Sequence, residues 1–440
     1  MIHRGKPFRG DSDGPADFLR AADQIGAEFV RDAIWSGDRC NWLGWQFKLV
    51  SGFFEPVHAT CGLSLYDGLA GIALFLARLT EFTDDDHQQK ILRGALRQMV
   101  SQALKLDADG MRGFYSGLAG VAYVLVCAGE ILGDDEFIET GLKWMVRAAT
   151  PDSKLHDLLS GSAGFIAPLI DLAHRYARED FLDLAEKHAC ALVAAAFIQN
   201  GSASWPDPDG LGPNLLGYAH GTAGIACALL EIAELRNDRS YVETANRALS
   251  YERALFDPAQ NNWPDLRERK MKPEATVAFP VAWCHGAGGI GISRLRMLEQ
   301  GRKDVETLAE VDAALRTASA DLAKPRTAEN GDFTYCHGMA GNAEFLLDAS
   351  RFWSREDIRA AVQNVGFFGI ERYQSKGLAW PCGLRIGEVR GLMLGLAGVG
   401  HFYLRLHDSE RVPGMLLLRP QAPEPAAEEP TEQTVTRVQL

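Results

Sequence analysis

The chain has little of what several large classes of protein require. No apolar run reaches the roughly 18 residues of a membrane-crossing helix, and no membrane insertion is expected. The N-terminal stretch Met1-Ile-His-Arg-Gly-Lys-Pro-Phe-Arg9 lacks the apolar core of a secretory signal. Positive charge is in deficit: 45 Lys and Arg stand against 58 Asp and Glu, a net charge of -13. Such a surface repels phosphates, which argues against a general binder of nucleic acid or anionic membrane. Cysteine is sparse, with eight (positions 40, 61, 127, 190, 227, 284, 336 and 382) spread over 440 residues. That is too thin for a disulfide scaffold, and a reducing, cytoplasmic setting is expected. Cys127, Cys190 and Cys227 sit in Ala/Leu/Val runs and read as small buried hydrophobes. Period-two alternation is nearly absent, so little sheet is expected beyond short hairpins in the long loops.

What the chain does have is a repeat. Gly-x-x-Gly followed by an apolar helical run occurs seven times, with first glycines at Gly68, Gly117, Gly161, Gly221, Gly286, Gly338 and Gly395. The spacings of 49, 44, 60, 65, 52 and 57 residues are those of a repeat architecture. No Gly-Lys-Ser/Thr follows the glycines and no strand precedes them, which removes a P-loop or Rossmann reading. After Gly71, the residues Ile72, Phe75, Leu76 and Leu79 follow the i, i+3, i+4, i+7 pattern of a helix. Between the glycine-led helices lie charged amphipathic segments: 84–104, 137–149, 181–198, 241–256, 305–322 and 355–373.

The expected fold is therefore all-α, a double α-barrel (α/α toroid) of seven apolar inner and seven solvated outer helices. Residues 1–16 read as a loose arm, 17–419 as one toroid, and 420–440 as a disordered Pro/Glu-rich tail. The loops 201–217 and 257–280 are the longest insertions, placed to cover one face of the ring.

Two repeats carry chemistry at their front: Trp283-Cys284-His285-Gly286 and Tyr335-Cys336-His337-Gly338. CxxC pairs are missing, yet Cys284 and Cys336 hold equivalent positions two residues before the first glycine of adjacent repeats. In a closed ring such positions face one another at one end of the cavity. Cys284, Cys336 and His337 then offer two sulfurs and one nitrogen to zinc and leave a fourth position open, the catalytic pattern. The competing reading is two buried cysteines and helix-capping histidines. His220 stands one residue before its glycine pair and Asp157 four before the preceding one, an acid/base pair at the same end. His156 and His285 are open between a supporting and a structural role. Asp67, Ser116 and Ser160 stand where helix caps stand.

The motifs Leu65-Tyr-Asp-Gly-Leu-Ala-Gly-Ile-Ala-Leu-Phe-Leu76, Gly217-Tyr-Ala-His-Gly-Thr-Ala-Gly-Ile-Ala226, Trp283-Cys-His-Gly286, Tyr335-Cys-His-Gly-Met-Ala-Gly-Asn342 and Leu392-Met-Leu-Gly-Leu-Ala-Gly398 resemble the LanC-like family of lanthionine synthetase cyclases, from about Trp42 to Arg419. It is most similar to the cyclase domain of the bifunctional lanthipeptide synthetases. The resemblance implies a seven-over-seven double α-barrel with zinc on Cys284, Cys336 and His337, and His220 and Asp157 as acid/base residues. The implied reaction adds peptide cysteine thiols to dehydroalanine or dehydrobutyrine of a dehydrated precursor peptide. Since barely 40 residues precede the toroid, a separate dehydratase partner is expected. The family's frequent arginine four residues before the first zinc cysteine is here Pro280. Two other functions are weighed: glutathione addition to dehydrated residues of proteins, and a non-catalytic toroid with a structural metal.

Overall fold

The computed structural model describes residues 14–50, 53–104, 111–151, 154–206, 212–272, 274–326, 331–383 and 387–421. The chain opens with helix α1 (Pro15–Asp32), then hairpins β1–β2 (Ile34–Ser36, Arg39–Asn41) and β3–β4 (Leu43–Val50, Phe53–Thr60). Helix pairs α2 (Leu69–Thr80) with α3 (Asp86–Ala103), α4 (Leu118–Leu132) with α5 (Asp135–Ala148), and α6 (Ser162–Tyr176) with α7 (Glu179–Ala195) follow. Hairpin β5–β6 (Phe197–Gln199, Ser202–Ser204) leads to α8 (Thr222–Arg236) and α9 (Arg239–Leu255). After the short α10 (Arg267–Met271) come α11 (Ala287–Glu299), α12 (Val305–Leu322), α13 (Met339–Phe352), α14 (Glu356–Arg372) and α15 (Leu396–His407).

Seven glycine-led helices (α2, α4, α6, α8, α11, α13 and α15) form the inner barrel, and almost every residue of their first three turns is buried. The six charged segments are the outer helices α3, α5, α7, α9, α12 and α14. The seventh outer helix is α1, which packs on α15 and so closes the ring between the two ends of the chain. Its start at Pro15 falls inside the segment expected to be a loose arm. Residues 1–13 of that arm and 422–440 of the expected tail lie outside the described residues. Among the described residues no helix is long and apolar enough to cross a membrane.

The hairpins depart from expectation in place and size. The longest, β3–β4, pairs eight residues with eight ahead of the first repeat rather than in a long loop. Cys127 and Cys227 are buried, but Cys190 is exposed, on the outer face of α7. The described structure pairs none of the eight cysteines.

The turns that start the inner helices explain the glycines. The first helical N–H groups are satisfied by the carbonyls seven residues upstream: Leu69 by Gly62, Leu118 by Met111, Ser162 by Leu155, Thr222 by Leu215, Met339 by Asp332 and Leu396 by Val389. Backbone thus does the capping, and the roles expected of Asp67, Ser116 and Ser160 fall away. Asp67 bonds Ser64, and Ser116 donates to Ser160. The carbonyl six residues upstream presses against the second glycine. A Cβ at Gly289 would lie 1.9 Å from the Trp283 oxygen, and one at Gly341 1.9 Å from that of Tyr335.

Successive turns are also hydrogen-bonded to one another in a closed circle. Backbone N–H groups of Tyr66, Tyr115, Leu159, Ala219, Trp283, Cys336 and Met393 donate in turn to Tyr115, Leu159, Ala219, Cys284, Cys336, Met393 and Tyr66 at 2.8–3.3 Å. Apart from Trp283, every one of these residues stands two before a first glycine. The repeat register is therefore a physical ring, and it brings Cys284 beside Cys336.

The C-terminal segment runs beneath this ring. Met415, Leu416, Leu417 and Leu418 are buried. Tyr115 donates its hydroxyl to the Met415 carbonyl at 2.7 Å, and Trp283 its indole N–H to that of Leu416 at 2.9 Å. Arg419 is clasped by Glu299 of α11 and Asp348 of α13, both at 2.9 Å. Replacing Trp283 by Phe leaves the Leu416 carbonyl buried and unpaired, a cost of about 1–3 kcal/mol. The urea midpoint of Trp283→Phe is expected to fall accordingly; an unchanged midpoint would show that the segment is not seated there.

Candidate active site

The site grows from the ring of turns at the N-terminal ends of the inner helices. The Trp283 N–H donates to the Cys336 carbonyl at 3.0 Å, which sets Cys284 and Cys336 on adjacent turns. Both are buried. A hydrogen bond shared with Cys336 holds the Cys284 thiol down to about 6, against its burial and with help from the charges of Arg267, His337 and His220. The same bond, with burial, pushes the Cys336 thiol well up. Tyr66, the residue of the first repeat at the same register, donates its hydroxyl to Cys336 Sγ at 3.0 Å.

His337 lies beside them. Its Nδ1 bonds Asp332 at 2.6 Å, and although burial opposes the charged ring, that carboxylate raises its pKa. The bond leaves Nε2 for a ligand, and the ring edge is kept open by Gly383. A Cβ there would stand 2.3 Å from His337 Cε1 and 2.9 Å from Nε2.

On the turn next to that of Cys284, His220 Nδ1 bonds Asp157 Oδ2 at 2.9 Å. Asp157 is itself fixed, since its Oδ1 accepts the backbone N–H groups of Ser160 and Gly161, both at 2.9 Å. One carboxylate thus caps its own turn and orients the imidazole of the next. His285 is buried and stacks on His220 with ring centroids 5.6 Å apart. His220 and Asp157 line a groove of about 360 Å³ together with Lys154, His156, Trp205 and Arg267. Both long loops therefore supply walls of the groove, Trp205 ending β5–β6 and Arg267 opening α10; residues 207–211 lie outside the described residues.

A sequence model of the lanthionine synthetase C-like protein family matches residues 60–417. The chain belongs to the lanthionine synthetase C-like family. It is 22% identical over 414 residues to the lacticin 481/lactococcin biosynthesis protein LcnDR2 of Lactococcus lactis subsp. lactis, covering 91% of this chain and 42% of that protein. It is 25% identical over 329 residues to the nisin biosynthesis protein NisC of the same organism, covering 66% and 76%. The chain thus spans less than half the length of LcnDR2. A solved structure of nisin cyclase shares the fold, with a TM-score of 0.61 at 18% identity, covering 89% of this chain and 95% of that one.

For this lanthionine synthetase C-like chain, the expected site residues fall on four successive turns of the ring: Asp157, His220, Cys284, and Cys336 with His337. Two thiols and an imidazole are the donors a borderline-soft divalent ion takes. Among the described residues no three His, Cys, Asp or Glu side chains already close on one point: Cys336 Sγ takes the Tyr66 hydroxyl and His337 faces Asp332. The sequence reading missed Tyr66, Asp332, Asp265 and Arg267. Tyr66 was recoverable from register alone. Asp332 holds the repeat position six before a first glycine, the one whose carbonyl meets the helix start; Asp265 and Arg267 have no repeat position, and only the folded loop brings them in.

Proposed function

We propose that this chain is a zinc-dependent cyclase that closes thioether rings in a dehydrated peptide, adding cysteine thiols to dehydroalanine or dehydrobutyrine. The observation that carries the reading is the placement of Cys284 and Cys336 on adjacent turns of one ring, beside the Asp157-oriented His220. Cys284, Cys336 and His337 would hold the zinc, with Nε2 of His337 as the free nitrogen. Zinc bound there supplies the substrate thiol as a thiolate near neutral pH.

The remaining work is proton handling, and His220 is built for it. Asp157 accepts from Nδ1, so Nε2 is the atom that takes the thiol proton. After the sulfur joins the β-carbon, the α-carbon needs one proton, and the same imidazole can return it. The sum balances without a co-reactant: one S–H bond and one C=C π bond are replaced by one C–S and one C–H bond. The substrate is a precursor peptide whose Ser and Thr were dehydrated by a separate partner enzyme, and a described structure with no disulfide suits a cytoplasmic setting.

The test offers the protein a peptide with one dehydroalanine and one cysteine, in the presence and absence of glutathione. Loss of the free thiol at unchanged peptide mass is expected. A glutathione adduct with the peptide cysteine left free would replace this reading with addition between molecules.

A further inference from the structure

Addition of a thiolate to a dehydroamino acid moves negative charge onto the carbonyl oxygen of that residue, because the C=C electrons are pushed through the α-carbon into an enolate. Imidazole and thiols at this site manage protons and sulfur; neither answers that oxygen. A fixed donor aimed at it is the largest single source of acceleration in reactions of this type.

The position four residues ahead of Cys284 is Pro280, which can supply no charge. The loop before it can. Asn262 donates to the carbonyls of Phe279 and Pro280 at 3.0 and 2.9 Å. The Asp265 N–H donates to the Ala278 carbonyl at 2.8 Å. These bonds strap residues 262–265 along the segment that leads into Cys284, and α10 starts at the edge of the groove.

Its first residue, Arg267, lines that groove with His220 and Asp157. Asp265 grips the guanidinium through Nε at 3.0 Å and Nη2 at 2.6 Å, leaving Nη1 uncommitted by that pair. Asp265 is in turn 4.0 Å from Nδ1 of His285, which stacks on His220.

Resting on the cyclase reading above, we infer that Arg267 is a catalytic residue that binds the carbonyl oxygen of the dehydroamino acid and stabilises the enolate. Asp265 is its positioning residue. The thiolate forms the C–S bond, the π electrons go to the carbonyl oxygen beside Nη1, and His220 returns the proton to the α-carbon as the enolate collapses.

The test is the kinetics of Arg267→Gln and Arg267→Lys on a dehydrated, cysteine-containing peptide, with zinc content and peptide Kd measured on the same samples. Arg267→Gln is expected to lose about 10²–10³-fold in kcat, the usual cost of one oxyanion donor, with zinc content and peptide Kd within threefold of wild type. Arg267→Lys is expected to recover part of the loss, since charge remains and the grip of Asp265 does not. A wild-type kcat for Arg267→Gln overturns the assignment, as does loss of zinc in step with loss of rate, which would assign the arginine to the thiols. Failure of the wild-type protein to cyclise the peptide would overturn the cyclase reading beneath it, so the two failures are distinguishable.

Discussion

Cys336→Ala is expected to lose bound zinc and cyclisation together. Cys336 stands at the centre of the sulfur side of the site: its carbonyl accepts from Trp283, its N–H donates to Met393, and its thiol accepts the Tyr66 hydroxyl. The backbone bonds survive the substitution, so the ring of turns and the fold stay in place. What disappears is one of three donors and the partner that holds the Cys284 thiol down. Removing a group that only supports a metal ligand costs about 10–100-fold in affinity or activity, so loss of a ligand itself is expected to exceed about 10²-fold. Elemental analysis and cyclisation rate on the same preparation check this. A variant that retained full zinc would move the metal off these residues.

His220→Ala is expected to separate the two halves of the site. Its side chain is about one-third exposed and bonds Asp157, so no buried partner is stranded and folding is preserved. Zinc content stays at the wild-type level, because His220 is not among the donors proposed. Cyclisation falls by about 10²–10⁴-fold, the usual contribution of a general acid–base residue. Asp157→Asn is expected to fall less, since the imidazole remains and only its orientation and charge stabilisation suffer. A wild-type rate for His220→Ala would remove the acid/base assignment.

Much of this architecture was legible because the repeat and the site share one register. The residue two before each first glycine is the residue that joins the hydrogen-bonded ring, so counting from glycines located Cys284, Cys336 and the neighbourhood of His220 without coordinates. The same count reaches Tyr66, whose hydroxyl bonds Cys336. The helix α1 was not legible. It carries no glycine motif, and its partner α15 is almost 400 residues away in the chain, so nothing local marks it as the seventh outer helix. Arg267 and Asp265 were invisible for a related reason: they belong to an insertion, and an insertion has no register. Asp67, Ser116 and Ser160, for which a capping role was one open reading, do not cap, because the turn doubles back far enough for backbone carbonyls to meet the helix N–H groups first.

A metal centre built from Cys284, Cys336 and His337 stands or falls on the zinc content of the freshly purified wild-type protein. Elemental mass spectrometry, with Cys284→Ala as the matched control, is expected to give about one zinc per chain in the wild type and a loss of most of it in the variant. No zinc in the wild-type protein, even after zinc is supplied, would contradict the account and leave the ring of turns as a scaffold without this chemistry.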